Sequence, residues 1–320
     1  MRKIMLAIAA MTFGLAQGVL QPAQAQDFPT RPIALVVPYG PGSGVDILAR
    51  EIAQKLTGIV GVPVVVENKA GATGNIGTEF VAQAKPDGYT LLLSSNSGVI
   101  YQIVSKTRFD LSRDFAPVAF AATLPYVVAV PPSLEARTLA ELMALARANP
   151  GKLNYNGPVG SVSDYLGSIL KSAAGAEMVM IPYKTTSDAQ VDLLSARIQV
   201  WFTTATSALP LAQSGKIRAL AVTSDERMAK LPDVPTVREA GVPAMHMDVT
   251  FFFLAPAGTP PDIVQKLNRA FAQALGSKDL QDRLAMQALA VKIGSSQEVK
   301  AHVAGELAKW GKILGSDAAR

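Results

Sequence analysis

The sequence predicts an α/β protein of two lobes, and three observations lead to that prediction. Apolar runs of strand length alternate with amphipathic helical stretches along the whole chain, which is typical of sheets flanked by helices. The chain has 320 residues, of which 49% are hydrophobic, and this is enough to build more than one core. Loops rich in glycine, serine and threonine follow strands in the N-terminal part and again in the middle of the chain. We therefore expect residues 26–124 and 249–320 to form lobe 1 and residues 125–248 to form lobe 2, each with a mainly parallel sheet.

The first 25 residues have the pattern of a secretory signal peptide. Arg2 and Lys3 precede an apolar stretch over residues 4–19, and Ala23 and Ala25 supply a small-x-small cleavage site. A membrane anchor is the alternative, but the stretch is short for a membrane span and contains two glycines and a glutamine. We expect cleavage after Ala25 and export of the mature protein to the periplasm.

The composition excludes several classes of function. The chain has no cysteine, which excludes disulfides, thiolate metal sites and cysteine nucleophiles. It has only two histidines, His246 and His302, so a histidine-based catalytic or metal site is not expected. Its net charge is +5, but no basic cluster is interleaved with aromatic residues, so a nucleic-acid partner is not expected. The first strand is not followed by Gly-x-Gly-x-x-Gly, and neither a Walker A sequence nor a Gly-x-Ser-x-Gly elbow is present. We predict no metal, no cofactor and no catalytic residues.

The first lobe opens with a strand, a glycine-rich loop and a helix. Residues 33–37 are an unbroken apolar run, and the apolar side chains of residues 45–56 recur at helical spacing. The loop between them directs unpaired backbone N–H groups and the positive end of the helix dipole to one point, where an anion can bind. For Asp46 the alternative is that it only caps its own helix. The candidate ligand-binding residues here are Tyr39, Gly42, Ser43, Gly44 and Asp46.

Two further strands of the first lobe are predicted at residues 62–67 and 89–93, and each ends in a small polar loop. Because the carboxyl ends of parallel strands meet at one edge of a sheet, these loops should lie beside the first one. They add four candidate ligand-binding residues, which are Asn75, Ser94, Ser95 and Asn96.

The second lobe is predicted to begin with a strand at residues 126–130 and to repeat the opening arrangement of the first. A short strand at residues 153–155 is followed by a glycine- and serine-rich loop and a helix, for which Ser163 is a suitable N-cap. Further strands that end in hydroxyl-rich loops are predicted at residues 178–181, 198–202 and 217–222. The candidate ligand-binding residues of this lobe are Ser161, Ser163, Asp164, Tyr183 and Thr203.

The chain is then predicted to return to the first lobe. Residues 232–243 are rich in proline and have no helical or strand period, so we expect a surface connection. Residues 250–256 form an apolar strand, and the three phenylalanines at 251–253 are more typical of a core than of a ligand cage. Helices are expected at about residues 261–275 and 279–289, and a last helix extends through residue 310.

Several motifs taken together resemble those of a known family. They are FPTRPI at residues 28–33, PYGPGSGVD at 38–46, VVENKAG at 65–71, GNIG at 74–77, PDGYTL at 86–91, PYK at 182–184, ALAVT at 219–223, LPDVPT at 231–236 and APAGTP at 255–260. On these motifs, which are spread over the mature chain, the sequence resembles the Bug family, the extracytoplasmic substrate-binding receptors of tripartite tricarboxylate transporters.

The resemblance implies a two-lobed Venus-flytrap fold of the type II periplasmic binding proteins, without catalytic activity. It implies that a small organic anion, most often a carboxylate, is held in the cleft between the lobes and delivered to integral membrane transporter subunits. Two alternatives stay open: a receptor that presents its ligand to a membrane sensor kinase, and an enzyme on the same scaffold.

The chain departs from the family pattern on the second-lobe side of the cleft. Residues 160–164 read GSVSD where relatives often have GTPSH, and Thr203 stands where relatives often have Asp. If Asp164 reaches the cleft, it should repel a second carboxylate and favour a ligand whose far end is neutral, hydroxylated or cationic. Tyr183, Ser161 and Thr203 would then be neighbouring hydrogen-bonding groups. The alternative keeps Asp164 on its own helix N-terminus, away from the ligand. The resemblance therefore does not identify the ligand.

Overall fold

The computed structural model describes residues 28–157, 161–183 and 185–317. The predicted signal peptide and its cleavage site lie outside these residues. Within them, no helix has the length and apolar character needed to cross a membrane.

The elements predicted from apolar runs and helical periods are present, with shifted ends. The strands are β1 (Ile33–Val37), β2 (Val64–Asn68), β3 (Thr90–Ser95), β4 (Phe115–Val130), β5 (Asn154–Asn156), β6 (Val179–Ile181), β7 (Trp201–Thr204), β8 (Arg218–Val222), β9 (Asp248–Pro256) and β10 (Ala290–Val291). The helices are α1 (Gly44–Val60), α2 (Asn75–Ala82), α3 (Asn96–Val104), α4 (Leu139–Ala148), α5 (Val162–Ala174), α6 (Thr186–Leu194), α7 (Ala205–Gln213), α8 (Pro261–Leu275), α9 (Lys278–Ala285) and α10 (Ser296–Asp317).

The largest sheet joins eight of the described strands. In the first half of the molecule the strand order is β2-β1-β3-β9-β4-β10, and β1 runs parallel to both β2 and β3. In the second half β7 and β8 pair with the far end of β4, and β5 forms a separate parallel pair with β6. The two halves therefore share one sheet.

The sheets are mixed, so the expectation of mainly parallel sheets applies only to β1, β2 and β3 and to the pair β5–β6. β9 is antiparallel to β3 and β4, and β4 is antiparallel to β7, β8 and β10. The physical reason is the path of the chain. Because β4 leads out of the first half and β9 leads back into it, the two strands run in opposite directions where they meet.

Strand β4 has 16 residues and spans both halves. Up to Pro125 it pairs with β9, and from Tyr126 onward it pairs with β7 and β8. Its register shifts at several points, and such bulges bend a strand and increase its twist. The connection between the halves is thus made by strand backbone.

The phenylalanines at residues 251–253 lie in the core, on alternate faces of β9. Phe253 stacks on Phe271 of α8 with 4.0 Å between ring centroids, whereas Phe252 meets the ring of His302 on α10 at 5.9 Å. All three are at most 4% exposed. The expectation of a core strand is confirmed.

Helix α10 packs on both halves of the molecule. Val299 and Val303 are buried with side chains of the first half, and Trp310 is buried in the core of the second half with 1% of its surface exposed. The ring of Trp310 contacts Tyr165 of α5 edge-on at 4.6 Å. By packing, the end of α10 belongs to the second half, although the predicted division assigns it to lobe 1.

Candidate functional site

The glycine-rich loop before α1 is held by an internal network centred on Asp46. The backbone N–H of Gly42 donates to Asp46 Oδ2 at 2.9 Å, Arg50 Nε donates to the same oxygen at 3.0 Å, and Asn68 Nδ2 donates to Oδ1 at 2.8 Å. Gly42 has a φ of +78°, a conformation that glycine adopts without strain. Asp46 is only 2% exposed. Its carboxylate therefore fastens the loop to the helix and to β2.

The protonation of Asp46 follows from this network. Burial by itself would raise the pKa of the carboxyl, but the hydrogen bonds from Arg50, Gly42 and Asn68 outweigh burial and hold the pKa below its usual range. The helix cap is a different residue: Ser43 Oγ accepts from the backbone N–H of Asp46 at 3.2 Å. Asp46 is thus ionised at neutral pH and already bound to its own loop.

A first cavity lies where β1, β3 and α2 meet. Its described lining consists of Pro38, Tyr39, Gly74, Asn75, Thr78, Ser94, Ser95, Gly98, Phe109 and Leu111. The half-buried hydroxyl of Tyr39 hydrogen-bonds to Ser95; burial raises its pKa, and the hydrogen bond partly opposes that rise. Gly77 packs so closely on Pro38 that an added Cβ would lie 2.9 Å from the Pro38 Cα. The loops after β1 and β2 therefore lie side by side, as predicted.

Asn96 is buried next to this cavity but uses both of its polar atoms elsewhere. Its Nδ2 donates to the carbonyl of Asp248 at 2.8 Å, and its Oδ1 accepts from the backbone N–H of Thr250 at 3.3 Å. Asn96 therefore ties the start of α3 to β9.

A second cavity, of about 160 Å³, lies in the other half of the molecule. Its described lining consists of Tyr126, Asn156, Gly157, Ser163, Tyr183, Thr185, Thr186, Ala189, Phe202, Thr203 and Thr204. The hydroxyl of Thr203 is buried, and no described residue gives it a hydrogen-bond partner.

Two lining side chains of the second cavity hold the end of β7. Asn156 Oδ1 accepts from the backbone N–H of Phe202 at 2.7 Å, and its Nδ2 donates to the Phe202 carbonyl at 3.0 Å. Ser163 Oγ donates to the same carbonyl at 3.1 Å. The prediction that Ser163 caps its helix is wrong. The cap is Ser161, because the helix begins at Val162, and Ser161 Oγ accepts from the N–H of Asp164.

Asp164 is not among the described residues that line the second cavity. Its carboxylate lies beside the hydroxyl of Tyr155, which donates to Oδ1 at 3.5 Å. Burial and the neighbouring Asp164 carboxylate raise the pKa of Tyr155 to about 12. The described contacts place the Asp164 carboxylate beside Tyr155, and whether it acts on a ligand stays a prediction.

Each cavity is lined by a tyrosine, and these two tyrosines lie near each other. Tyr126 lines the second cavity and Tyr39 the first. The pKa of Tyr126 is raised by burial and then by the nearby Tyr39 hydroxyl, so the two side chains lie close enough to interact. Tyr183 also lines the second cavity, and its hydroxyl donates to Asp192 Oδ2 at 2.7 Å. Burial and this hydrogen bond raise the pKa of Tyr183 to about 12.

The two cavities are rich in hydrogen-bond donors and carry no charged side chain among their described lining residues. Helices α2, α3, α5, α6 and α7 all begin at or next to lining residues. Their first N–H groups and their dipoles favour an anion. Among the described residues, no group of three or more histidine, aspartate or glutamate side chains is arranged for a metal ion.

Half of the predicted ligand-binding residues line these cavities, namely Tyr39, Asn75, Ser94, Ser95, Ser163, Tyr183 and Thr203. The other seven are not among the described lining residues, namely Gly42, Ser43, Gly44, Asp46, Asn96, Ser161 and Asp164. In the second cavity, the described lining residues with polar side chains that were not predicted are Tyr126, Asn156, Thr185, Thr186 and Thr204. The threonines were detectable as hydroxyls that follow strands, whereas Tyr126 lies within a strand that carries no loop signal.

Comparisons with known proteins agree with this arrangement. A family model described as "Tripartite tricarboxylate transporter family receptor" matches residues 48–317. Protein BugT of Bordetella pertussis is 35% identical over 301 residues, which cover 93% of this chain and 92% of BugT.

Solved structures agree as well. A protein of R. palustris with adipate is 35% identical with a TM-score of 0.80, covering 90% of this chain and 98% of that one. MatC from Rhodopseudomonas palustris with bound malate is 28% identical with a TM-score of 0.77, covering 90% and 100%. The periplasmic binding protein BugD is 30% identical with a TM-score of 0.78, covering 90% and 98%.

These matches confirm the predicted fold class and the predicted family. The relatives are periplasmic binding proteins and not enzymes. This contradicts the alternative of an enzyme on the same scaffold. The chain belongs to the tripartite tricarboxylate transporter receptor family, the Bug or TctC type of periplasmic solute-binding proteins.

Proposed function

We propose that this protein captures a small organic carboxylate between its two halves and delivers it to a tripartite tricarboxylate-type transporter. The observation that carries the proposal is the pair of uncharged, donor-rich cavities at which several helices begin. Such a site binds an anion through backbone N–H groups, hydroxyls and helix dipoles. The adipate and malate bound by two relatives support the carboxylate class.

The proposed lobes are residues 26–124 and 249–320 for lobe 1 and residues 125–248 for lobe 2, with the end of α10 packed on lobe 2. The switch of β4 from β9 to β7 between Pro125 and Tyr126 supports this division. Closure is a hinge motion about β4 and β9, and a ligand that contacts both halves favours the closed state.

The mature protein works in the periplasm after cleavage behind Ala25. The family description supports the transporter as partner, because it names a transporter receptor. Crosslinking in intact cells, followed by identification of the captured membrane protein, tests this part. Capture of transporter subunits supports the proposal, and capture of a sensor kinase instead overturns it.

The ligand class is tested by native mass spectrometry of the protein purified from the periplasm without refolding. We expect an added mass that is released on denaturation and identified as a carboxylic acid. A thermal-shift screen of carboxylates, amines and neutral sugars on ligand-free protein is the second arm. Stabilisation by amines or sugars but by no carboxylate would overturn the proposal.

A further inference from the structure

A third cavity lies where the two halves of the molecule join. Its volume is about 360 Å³, which is within the range of pockets that hold small ligands. The end of α9 and the start of β10 line it from the first half, and the loop after β8 lines it from the second half. Between them, β4 and the first residue of β9 complete the described lining. An occupant of this cavity would therefore contact both halves.

The third cavity and the candidate carboxylate site lie on opposite faces of β4. Tyr126 lines the second cavity, whereas Thr123 and Pro125 line the third. Successive side chains of a strand point to opposite faces, and the register of β4 with β9 is regular over residues 122–125. The third cavity is thus a separate space behind the junction of the halves.

Asp248 is the only half-buried charged side chain among the described residues that line the third cavity. Its Oδ1 atom is buried and has no hydrogen-bond partner among the described residues. The neighbouring Asp225 has partners of its own, because its Oδ1 lies 3.1 Å from both Arg238 Nη2 and His246 Nε2. Asp248 belongs to neither of these ion pairs. Since a buried carboxylate is costly unless it is paired, Asp248 lacks a counter-charge that an occupant could supply.

The electrostatics of Asp248 agree with this geometry. Burial raises the pKa of its carboxyl above the usual value. The positive charges of His246 and Lys292 oppose the rise, and the negative charge of Asp225 adds to it. The surroundings therefore compensate the ionised carboxylate only in part, and a cation placed beside it would complete the compensation.

The positive groups of the third cavity do not prepare it for an anion. The guanidinium of Arg227 donates to both carboxylate oxygens of Glu239 and to the carbonyl of Pro232. Lys230 is exposed to solvent. Helix α9 ends at Ala285 in the lining, so the negative end of its dipole lies at the cavity. The charge distribution favours a cation.

The remainder of the lining suits an apolar body. Pro125, Met228, Ala285, Ala288 and Leu289 contribute side chains without charge or hydrogen-bonding groups. A molecule that carries one positive group and a few carbon atoms would place the charge at Asp248 and the carbon atoms against these side chains.

We propose that the third cavity is a second binding site, which takes a small organic cation such as a primary amine with an apolar body and pairs its ammonium group with Asp248. The proposal goes beyond the proposed function, because it concerns the other face of β4 and does not depend on which molecule the cleft takes.

The probe is benzylamine, and it is compared with benzyl alcohol, a neutral molecule of the same shape. Each is titrated into ligand-free, isotope-labelled protein at pH 7.5, and the backbone amide signals are followed by NMR. We expect benzylamine to shift the amides of residues 224–230 and 285–290, with a Kd in the millimolar range or below. Benzyl alcohol should bind about tenfold more weakly, because it cannot form a charged hydrogen bond with Asp248.

Asp248→Asn removes the charge and keeps the shape of the side chain. We expect it to bring the affinity for benzylamine within about threefold of that for benzyl alcohol. The melting temperature of this variant should be unchanged or higher, because a carboxylate without a counter-charge is removed. The matched control is Asp262→Asn, the same change at an exposed acid of α8 that is not among the described lining residues. It should leave the difference between the two compounds intact.

A second variant tests the location without changing a charge. Ala285 is exposed at the end of α9, so Ala285→Trp places an indole in the cavity without entering a core. We expect it to weaken the binding of both compounds about tenfold or more.

Several results would overturn the second site. They are equal affinities of the native protein for the two compounds, benzylamine binding that is unchanged in Asp248→Asn or in Ala285→Trp, and no binding of benzylamine at high millimolar concentration. Amide shifts confined to the cleft, at residues such as Ser95 and Thr203, would also overturn it. None of these results bears on carboxylate capture, which the ligand screen described above tests separately.

Discussion

Asp46 is a charged residue whose partners all belong to its own surroundings in the fold. Its two oxygens accept hydrogen bonds from Gly42, Arg50 and Asn68, so the carboxylate holds the glycine-rich loop in its conformation. We expect Asp46→Asn to destabilise the fold by about 2–3 kcal/mol, because a donor amide would face the donors that the carboxylate now accepts from. Urea unfolding at neutral pH measures this loss. Asp262→Asn, which changes an exposed acid in the first turn of α8, should have little effect.

The same substitution has a predictable dependence on pH. The folded-state pKa of Asp46 lies below its usual value of 3.8, so the folded state binds a proton less readily than the unfolded state. The stabilisation is complete above about pH 4 and is lost as the pH falls through the folded-state pKa. The stability difference between native protein and Asp46→Asn should therefore shrink only in acid. A difference that shrinks between pH 8 and pH 5 would contradict this account.

Gly44 tests whether the loop after β1 contributes to binding. It is the first residue of α1, it is exposed, and an added Cβ would meet no atom within 4 Å. Gly44→Val should therefore fold and should weaken ligand binding about tenfold or more, by blocking the approach of an anion to the helix N-terminus. Gly58→Val is the matched control, since Gly58 lies at the other end of α1 and also faces open space. Equal affinity of the two variants would place Gly44 outside the site.

Sequence reasoning found those site residues whose role depends on the backbone. Small and hydroxyl residues after strands mark loops and helix starts, and this signal located Ser95, Ser163 and Thr203 at the cavities. It did not show which side chains turn to internal partners. Asn96 bonds to β9, which is distant in sequence, and only the assembled fold makes that partner available.

At the scale of elements, helix α10 carries the clearest prediction for pH-dependent stability. His302 is partly buried between the rings of Phe120 and Phe252, at centroid distances of 5.5 and 5.9 Å. Burial lowers the pKa of His302 below 6.5; Glu306 opposes this, and the charges of Lys292 and Lys309 add to it.

The folded state therefore takes up a proton on His302 at lower pH than the unfolded state does. The contribution of the neutral imidazole is complete above about pH 6.5 and is lost as the pH falls from 6.5 through the lower folded-state pKa. We expect His302→Gln to reduce the loss of melting temperature between pH 7.5 and pH 5. His246→Gln, which changes the histidine near Asp225, serves as the comparison. If the loss of melting temperature is unchanged in His302→Gln but reduced in His246→Gln, the pH dependence belongs to His246.

Strand β4 shows why its full extent was not predicted. Pro117 and Pro125 interrupt the apolar run, and proline within such a run usually argues against a strand. In the fold one of the register shifts begins at Pro117, where a missing N–H costs little, and Pro125 lies where the pairing partner changes. The strand was therefore predicted only from residue 126 onward. The start of that apolar run also predicted the division into two halves near residue 125.

At the scale of the whole molecule, Trp310 joins the last helix to the second half. It is almost fully buried and contacts Tyr165 of α5. We expect Trp310→Ala to reduce the free energy of unfolding by about 3–5 kcal/mol, as for large aromatic truncations in a core. Lys309→Ala changes the neighbouring exposed residue and should cost far less. Comparable losses in the two variants would show that the end of α10 is not part of the core.

The long strand also decides the order in which the chain can fold. β4 is complete at Val130, but its central partner β9 begins only at Asp248, and Trp310 lies close to the C-terminus. Because contacts between distant parts of a chain form slowly, the sheet stays open until most of the polypeptide has been made. Under the export proposed above, the strand that joins the two halves thus keeps the sheet open while the chain crosses the membrane.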